Sequence, residues 1–283
     1  MDGAEPGSMT SPLYIVARTV LLDAPDALGE QRDAVVLVGA QAIYLHTGDA
    51  DIAVPAFTTD GDLVIEPARL KDEPKLAEAM ARAHFLPGLQ PGSWVSTRNV
   101  DSVPTIIPVD LLVPEAVAGP GRRAAHLGEH GDRAGRRARG LEGALVDYSR
   151  RKLRALDSDD PRAFEIRVAG PSALLVAKLH KIADRSQEPE TKRLNDKDGL
   201  DVLRLLRVIP SRELAAGLRR LQGEMVSAEV TREAVAQLDA LFGSTRSVGT
   251  QMAVRATERL EDPAAIAESC AALTRELLDL VRG

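Results

Sequence analysis

Two aspartates separated by a glycine, Asp60-Gly61-Asp62, stand at the entrance to an apolar run, Leu63-Val64-Ile65. Side chains alternate along a strand, so residues two apart share one face. Two carboxylates held side by side repel each other unless a cation lies between them, and hard divalent ions favour such oxygen ligands. A third acid, Asp110, interrupts a second apolar run between Val109 and Leu111, where an unpaired carboxylate is expensive. Upstream, the run Val35-Val36-Leu37-Val38 breaks at Gly39-Ala40-Gln41 just before a helical pattern, whose first backbone N–H groups suit phosphate. Metal-demanding acids beside a phosphate cradle are the chemistry of nucleotidyl transfer. Two acids hold cations that neutralise a triphosphate, and the third completes the site where an acceptor hydroxyl loses its proton. Plainer readings stand beside this one: Asp60-Gly61-Asp62 as a turn without metal, and Asp110 as a strand-end residue facing water.

The elements that must position these residues follow from the hydrophobic pattern. Residues 11–30 read as a helix, 34–38 as a strand, and a short helix starts near Gln41. The strand at 60–65 is followed by helical starts at Pro67 and Pro74, the second with Leu76, Met80 and His84 on one stripe. Strands are expected at 93–98, 105–113, 143–147 and 163–168, with a stretch rich in Gly, Arg and Ala over 114–140 that reads as loop with short helix. From Pro171 the pattern becomes helical, at 171–186, 196–208, 210–222, 227–242 and 262–281. The fold class is therefore α/β: a mixed sheet domain over 9–170 that carries the metal site, then an all-helical domain over 171–283. Gly7-Ser8-Met9 reads as a cloning remnant and is left out of the fold. Within the first C-terminal helix, Lys178 shares a stripe with Leu174, Leu175 and Ile182, while His180 and Lys181 turn outward. A lysine so placed either snorkels or binds phosphate. Asp198 falls on the inner face of the next helix with Asp201 one turn on. Either acid can accept from Lys178 or from a substrate amine, or Asp198 merely answers the helix dipole.

These pieces, in this order, resemble the nucleotidyltransferase superfamily with its polymerase-beta-like fold, and most nearly the AbiEii/MenT group, the toxins of type IV toxin–antitoxin pairs. The resemblance covers residues 34–206. It rests on Gly39-Ala40 as the glycine turn, Thr58-x-Asp60-x-Asp62 as the metal motif, and Asp110 as the third acid. Lys178 in Val-Ala-Lys-Leu-His-Lys and Asp198-x-x-Asp201 in Lys-Asp-Gly-Leu-Asp-Val-Leu match later motifs. It implies Mg2+ or Mn2+ at Asp60, Asp62 and Asp110. It also implies a nucleoside triphosphate bound by Gly39, Ala40, Gln41, Thr58 and Lys178, with Lys178, Asp198 and Asp201 serving the chemistry. The acceptor it implies is RNA, such as a tRNA end, and the partner a cognate antitoxin protein. The chain departs from the pattern at Ala56, where the family usually has Arg, and at Ala40, where a serine would contact phosphate and Gln41 can substitute.

Composition narrows the classes. A chain of 283 residues with 44% apolar and 28% charged side chains suits a globular protein with an adequate core. Aromatics make up only 3%, which argues against stacking platforms for single strands. No apolar run approaches the ~20 residues of a membrane span, no signal peptide pattern opens the chain, and Cys270 is the single cysteine, so a reducing cytoplasm is expected. The net charge of −6 opposes nonspecific nucleic-acid binding by the whole surface. Between Gly121 and Arg154, however, ten basic residues face four acids, and Arg122, Arg123, Arg136, Arg137 and Arg139 are the candidates for contacting RNA. A solvated surface explains the same run. His126 and His130 have no third ligand nearby and read as surface residues. Three functions are thus in view: transfer to RNA, transfer to a small molecule or protein, and a degraded relative that only binds a nucleotide or partner.

Overall fold

Val35-Val36-Leu37-Val38 is apolar on both faces, which suits only a strand covered on both sides. In the computed structural model, which describes residues 11–48, 58–187, 195–258 and 260–283, it is β1 (Val35–Val38), buried throughout. Gly7-Ser8-Met9 and Ala56 lie outside the described residues. β1 is central in a mixed sheet. It pairs antiparallel with β2 (Gly61–Ile65) and parallel with β8 (Ala163–Ala169). β2 runs parallel to β5 (Val103–Pro114), which forms a long hairpin with β4 (Ser93–Val100). The short β3 (Leu86–Pro87) and β7 (Tyr148–Arg154) form the two edges. Where β4 ends, β6 (Arg136–Ala138) takes over the same side of β5, with Leu112 opposite Arg136.

Helices complete the layers. α1 (Pro12–Leu28) packs on the sheet together with α3 (Leu76–Arg82). α2 (Gly39–Thr47) follows β1 directly and joins the sheet to α4 (Pro171–Ser186) and α5 (Asp196–Val208). Gly170 and Pro171 start α4, proline at the first helical position losing no bond. Asn195 caps α5 by accepting from the Lys197 N–H at 3.1 Å, and Asp196 and Asp198 in its first turn suit the helix dipole. α6 (Ser211–Gly223), α7 (Ala228–Phe242), α8 (Val248–Thr257) and α9 (Pro263–Arg282) close the helical part. One continuous apolar core runs from Leu37 and Leu63 through Leu175 and Leu203 to Phe242 and Leu278.

The mixed α/β sheet followed by helices is as the pattern predicts. Four details differ. Residues 143–147 are not a strand: Glu142–Leu145 forms a 3-10 turn, and the strand begins at Tyr148. β6 lies inside the expected loop, since three residues, Arg-Arg-Ala, carry no hydrophobic alternation. α8 was not expected because Val248-Gly249-Thr250 opens it with poor helix formers. His84 does not extend the stripe of Leu76 and Met80, because it adopts φ +62° and ends α3. No described helix is long and apolar enough to cross a membrane.

Candidate active site

The β2 register sets Asp62 beside Val38 of β1 on one side and beside Asp110 of β5 on the other. Asp60, Asp62 and Asp110 all line one cleft of about 470 Å³, together with Val38 and Gly39. The intervening Gly61 faces the other way, against α1, where an added β-carbon would lie 2.8 Å from Leu21 Cδ1. Period-two alternation thus separates a helix-packing residue from two cleft acids. Gly39 is demanded twice. Its φ is +70°, and a β-carbon there would run into Asp62 Oδ2. Of the expected nucleotide-binding turn, Gly39 alone lines the cleft. Gln41 is buried, with both ends of its amide committed: Oε1 accepts from Arg18 Nε at 2.6 Å and Nε2 donates to the Asp60 carbonyl at 3.1 Å. It braces the acidic strand from behind, and its amide has no end turned to the cleft.

The three acids differ electrostatically. Burial works to raise the Asp60 pKa, but the Thr58 hydroxyl bonded to Oδ1 and the nearby Lys197, Lys181 and Lys178 hold it below its ordinary value. Lys197 Nζ lies 3.2 Å from Thr58 Oγ1, extending this chain. Asp62 goes the other way: burial, then the Asp60 and Asp110 charges, push it up to about 6. Asp110 forms an ion pair through Oδ2 with Arg136 Nη2.

The helical side supplies cations. Lys178 is buried, with Nζ 2.7 Å from both Asp198 Oδ1 and Asp201 Oδ2. The two carboxylates raise its pKa although burial opposes them. Asp198 also meets Lys181 at 3.3 Å and Arg185 at 2.8 Å; burial works to raise its pKa, but Lys178, Lys181 and Arg185 hold it well below the usual carboxylate range. Lys178, Lys181 and Arg185 all line the cleft. The expectation that Lys181 and His180 turn outward is corrected at both positions. Lys181 reaches the cleft, and His180 is buried with Nε2 2.8 Å from the Val230 carbonyl. The signal for the first was available: 178, 181 and 185 follow i, i+3, i+7 spacing, one helical face. Lys197, lying between two acids at the start of α5, gave no such signal.

The fit to a divalent ion can be read from these donors. Among the described residues, no set of three His, Cys, Asp or Glu side chains is gathered for a metal as it stands. Asp110 is engaged by Arg136, which leaves the Asp60/Asp62 pair. Mg2+ commonly takes one or two carboxylates and completes its shell with phosphate oxygens and water. Asp62, with its raised affinity for a proton, is the carboxylate that most needs a cation. The pair therefore fits such an ion.

The basic run does not form one surface. Arg122 and Arg123 are exposed on a loop. Arg136, Arg137 and Arg139 all line the cleft. Arg137 is tied to Glu115 at 3.2 Å and Arg139 to Glu115, Glu229 and Glu233 at 2.8–3.0 Å. Arg150, Arg151, Lys152 and Arg154 ride on β7, separated from β5 and β6 by β2, β1 and β8. His130 is not a surface residue: it is buried, and its Nδ1 accepts from the Leu76 N–H at 3.3 Å.

No protein-family model matches the chain. No curated protein matches it either. Among solved structures it is similar to an antigenic nucleotidyltransferase-like protein from Paracoccidioides brasiliensis, with 15% identity and a TM-score of 0.40, over 77% of this chain and 92% of that one.

Proposed function

We propose that the chain is a nucleotidyltransferase, which moves a nucleoside monophosphate from a nucleoside triphosphate to an acceptor hydroxyl with the aid of Mg2+ or Mn2+. One observation carries the reading: a single cleft holds Asp60, Asp62 and Asp110 on its sheet side and Lys178, Lys181 and Arg185 on its helical side. Acids for a cation and cations for phosphates thereby share one cleft, which Arg136, Arg137 and Arg139 on the sheet side and Asp184 on the helical side also line. Asp60 and Asp62 would hold the ion, which on binding supplies neutralisation of the phosphate charge. The Gly39 turn brings the N–H groups at the start of α2 to a phosphate. Lys181 and Arg185, at the cleft surface, take the triphosphate directly. Lys178 fixes Asp198 and Asp201, and so orients the two cations that share Asp198. In the transfer, the acceptor oxygen attacks the α-phosphorus, the bond to the leaving pyrophosphate breaks, and the hydroxyl proton passes to a cleft carboxylate.

The acceptor we propose is RNA, in a toxin-like enzyme with an antitoxin partner. Exposed Arg122 and Arg123 support this, beside the resemblance in motif order. A second reading, a small-molecule or protein acceptor, is favoured by Arg137 and Arg139, whose charges already answer Glu115, Glu229 and Glu233. Incubation with each α-labelled nucleoside triphosphate, Mg2+ and total RNA separates the readings. Label in an RNA band, lost in Asp62→Asn, supports the first. Label in a protein or small-molecule fraction supports the second. No label with any nucleotide in any fraction overturns transfer itself and leaves a binding relative.

A further inference from the structure

Asp110 is placed to be the third acid of the cleft, yet the chain's own Arg136 occupies it. The pairing is built in. Leu112 of β5 is the register partner of Arg136 on β6, so the guanidinium arrives beside Asp110, two residues earlier on β5. Its Nη2 meets Asp110 Oδ2, and its Nη1 donates to Gln90 Oε1 at 2.8 Å. Both partners are only partly covered, with side-chain exposure of 28% for Arg136 and 21% for Asp110. The pair therefore stands at the cleft wall with water at hand, where exchanging one anion for another is cheap. Arginine does not release its proton near neutral pH, so its charge moves only by moving the side chain. A planar guanidinium suits a phosphate as well as a carboxylate.

Resting on the proposed transfer activity, we infer that Arg136 is an exchangeable cation of this cleft. It holds Asp110 while no nucleotide is present, and it passes to the nucleotide phosphates as Asp110 turns toward the ion at Asp60 and Asp62. Two consequences distinguish this role from a structural ion pair. In the free protein, Arg136 competes with the divalent ion by neutralising Asp110, so metal alone binds weakly. In the presence of nucleotide, the same side chain contributes affinity. Removing it must therefore shift the two affinities in opposite directions, which a lost structural contact does not do.

The test measures binding without turnover. Mn2+ is titrated without nucleotide and followed by the electron paramagnetic resonance of the free ion. A non-hydrolysable α,β-methylene triphosphate is then titrated with Mn2+ present. Wild type, Arg136→Gln, Arg136→Lys and Gln90→Ala are compared, with thermal melting to confirm folding. Arg136→Gln is expected to bind Mn2+ alone about ten-fold more tightly and the analogue about ten-fold more weakly, as befits loss of one adjacent charge. Arg136→Lys keeps the charge and recovers part of the analogue affinity. Gln90→Ala, which loosens only the anchor, tightens Mn2+ binding modestly and leaves the analogue bound. If Arg136→Gln moves neither affinity, or weakens both together, Arg136 is a structural partner and the inference fails. Asp62→Asn separates this from failure of the proposed function. Should Asp62→Asn lose Mn2+ while Arg136→Gln changes nothing, only the exchange is wrong. Should Asp62→Asn bind Mn2+ as wild type does, the transfer reading falls, and the exchange with it.

Discussion

Asp62 and Asp110 are register partners across the parallel β2–β5 pair, yet among the described residues only Asp110 of the two forms an ion pair, with Arg136. The two acids are therefore unequal. Asp62 carries the electrostatic cost of the site.

That cost has a pH signature. Asp62 titrates at about 6 against an ordinary 3.8, so the folded protein holds this proton more tightly than the unfolded chain. Stability from the protonated acid is whole below the ordinary value and is lost as pH rises toward 6, by about 3 kcal/mol at most. Asp62→Asn removes the penalty. It is expected to melt above wild type at about pH 8 without metal, with the gap closing in acid and vanishing when Mg2+ or Mn2+ is added to wild type. Urea melts across pH give the answer; an unchanged gap from acid to base means that Asp62 bears no such strain.

The lysines of α4 separate by burial. Lys178→Ala leaves Asp198 and Asp201 facing the interior without their shared cation, at a cost of about 3–5 kcal/mol. Loss of activity there reports stability as much as binding. Lys181→Ala, at the cleft surface, is expected to keep the melting temperature within a few degrees and to weaken triphosphate binding about ten-fold. Calorimetry beside a nucleotide titration checks both. Equal melting of the two variants contradicts the buried triad.

Gly39 admits no side chain. Gly39→Ala combines a left-handed backbone with a β-carbon driven into Asp62, so a loss of about 1–3 kcal/mol and of nucleotide binding is expected. Ala40→Gly, one residue on and outside the cleft lining, serves as control and leaves nucleotide affinity near wild type.

An RNA acceptor implies salt dependence. Each neutralised phosphate of a single strand contributes a slope of about −0.7 in log affinity against log salt. The informative variant is Arg122→Ala with Arg123→Ala, because Arg137 and Arg139 also hold the fold through their acids. A shallower slope for the double variant supports contact with RNA; superimposed curves move the acceptor to a small molecule or protein.

Much of this was legible from residue spacing. The alternation through Asp60, Gly61 and Asp62 and the unbroken apolar β1 predict a strand with both acids on one face. The helical period from Pro171 places Lys178 on the inner stripe. What stayed hidden depends on long-range pairing. Arg136 reaches Asp110 only because a three-residue strand with no hydrophobic pattern docks on β5. Lys197 meets Thr58 across 139 positions of sequence. Gln41 resembled a phosphate ligand because its two buried partners, Arg18 and the Asp60 carbonyl, lie on other elements. Charge density along the chain was likewise a poor guide to surface charge, since β-topology sends Arg136 and Arg150 to different parts of the sheet.

The apolar core that passes uninterrupted from β1 through α4 to α9 also bears on how substrate enters. A protein that bites shut on its ligand needs a seam along which two bodies can swing, and here such a seam would have to tear Leu175 and Leu203 away from their neighbours. Closure by a swing of the sheet against the helices is therefore opposed by that core. Cutting the chain at residue 170 should accordingly yield an insoluble fragment in place of a smaller folded domain.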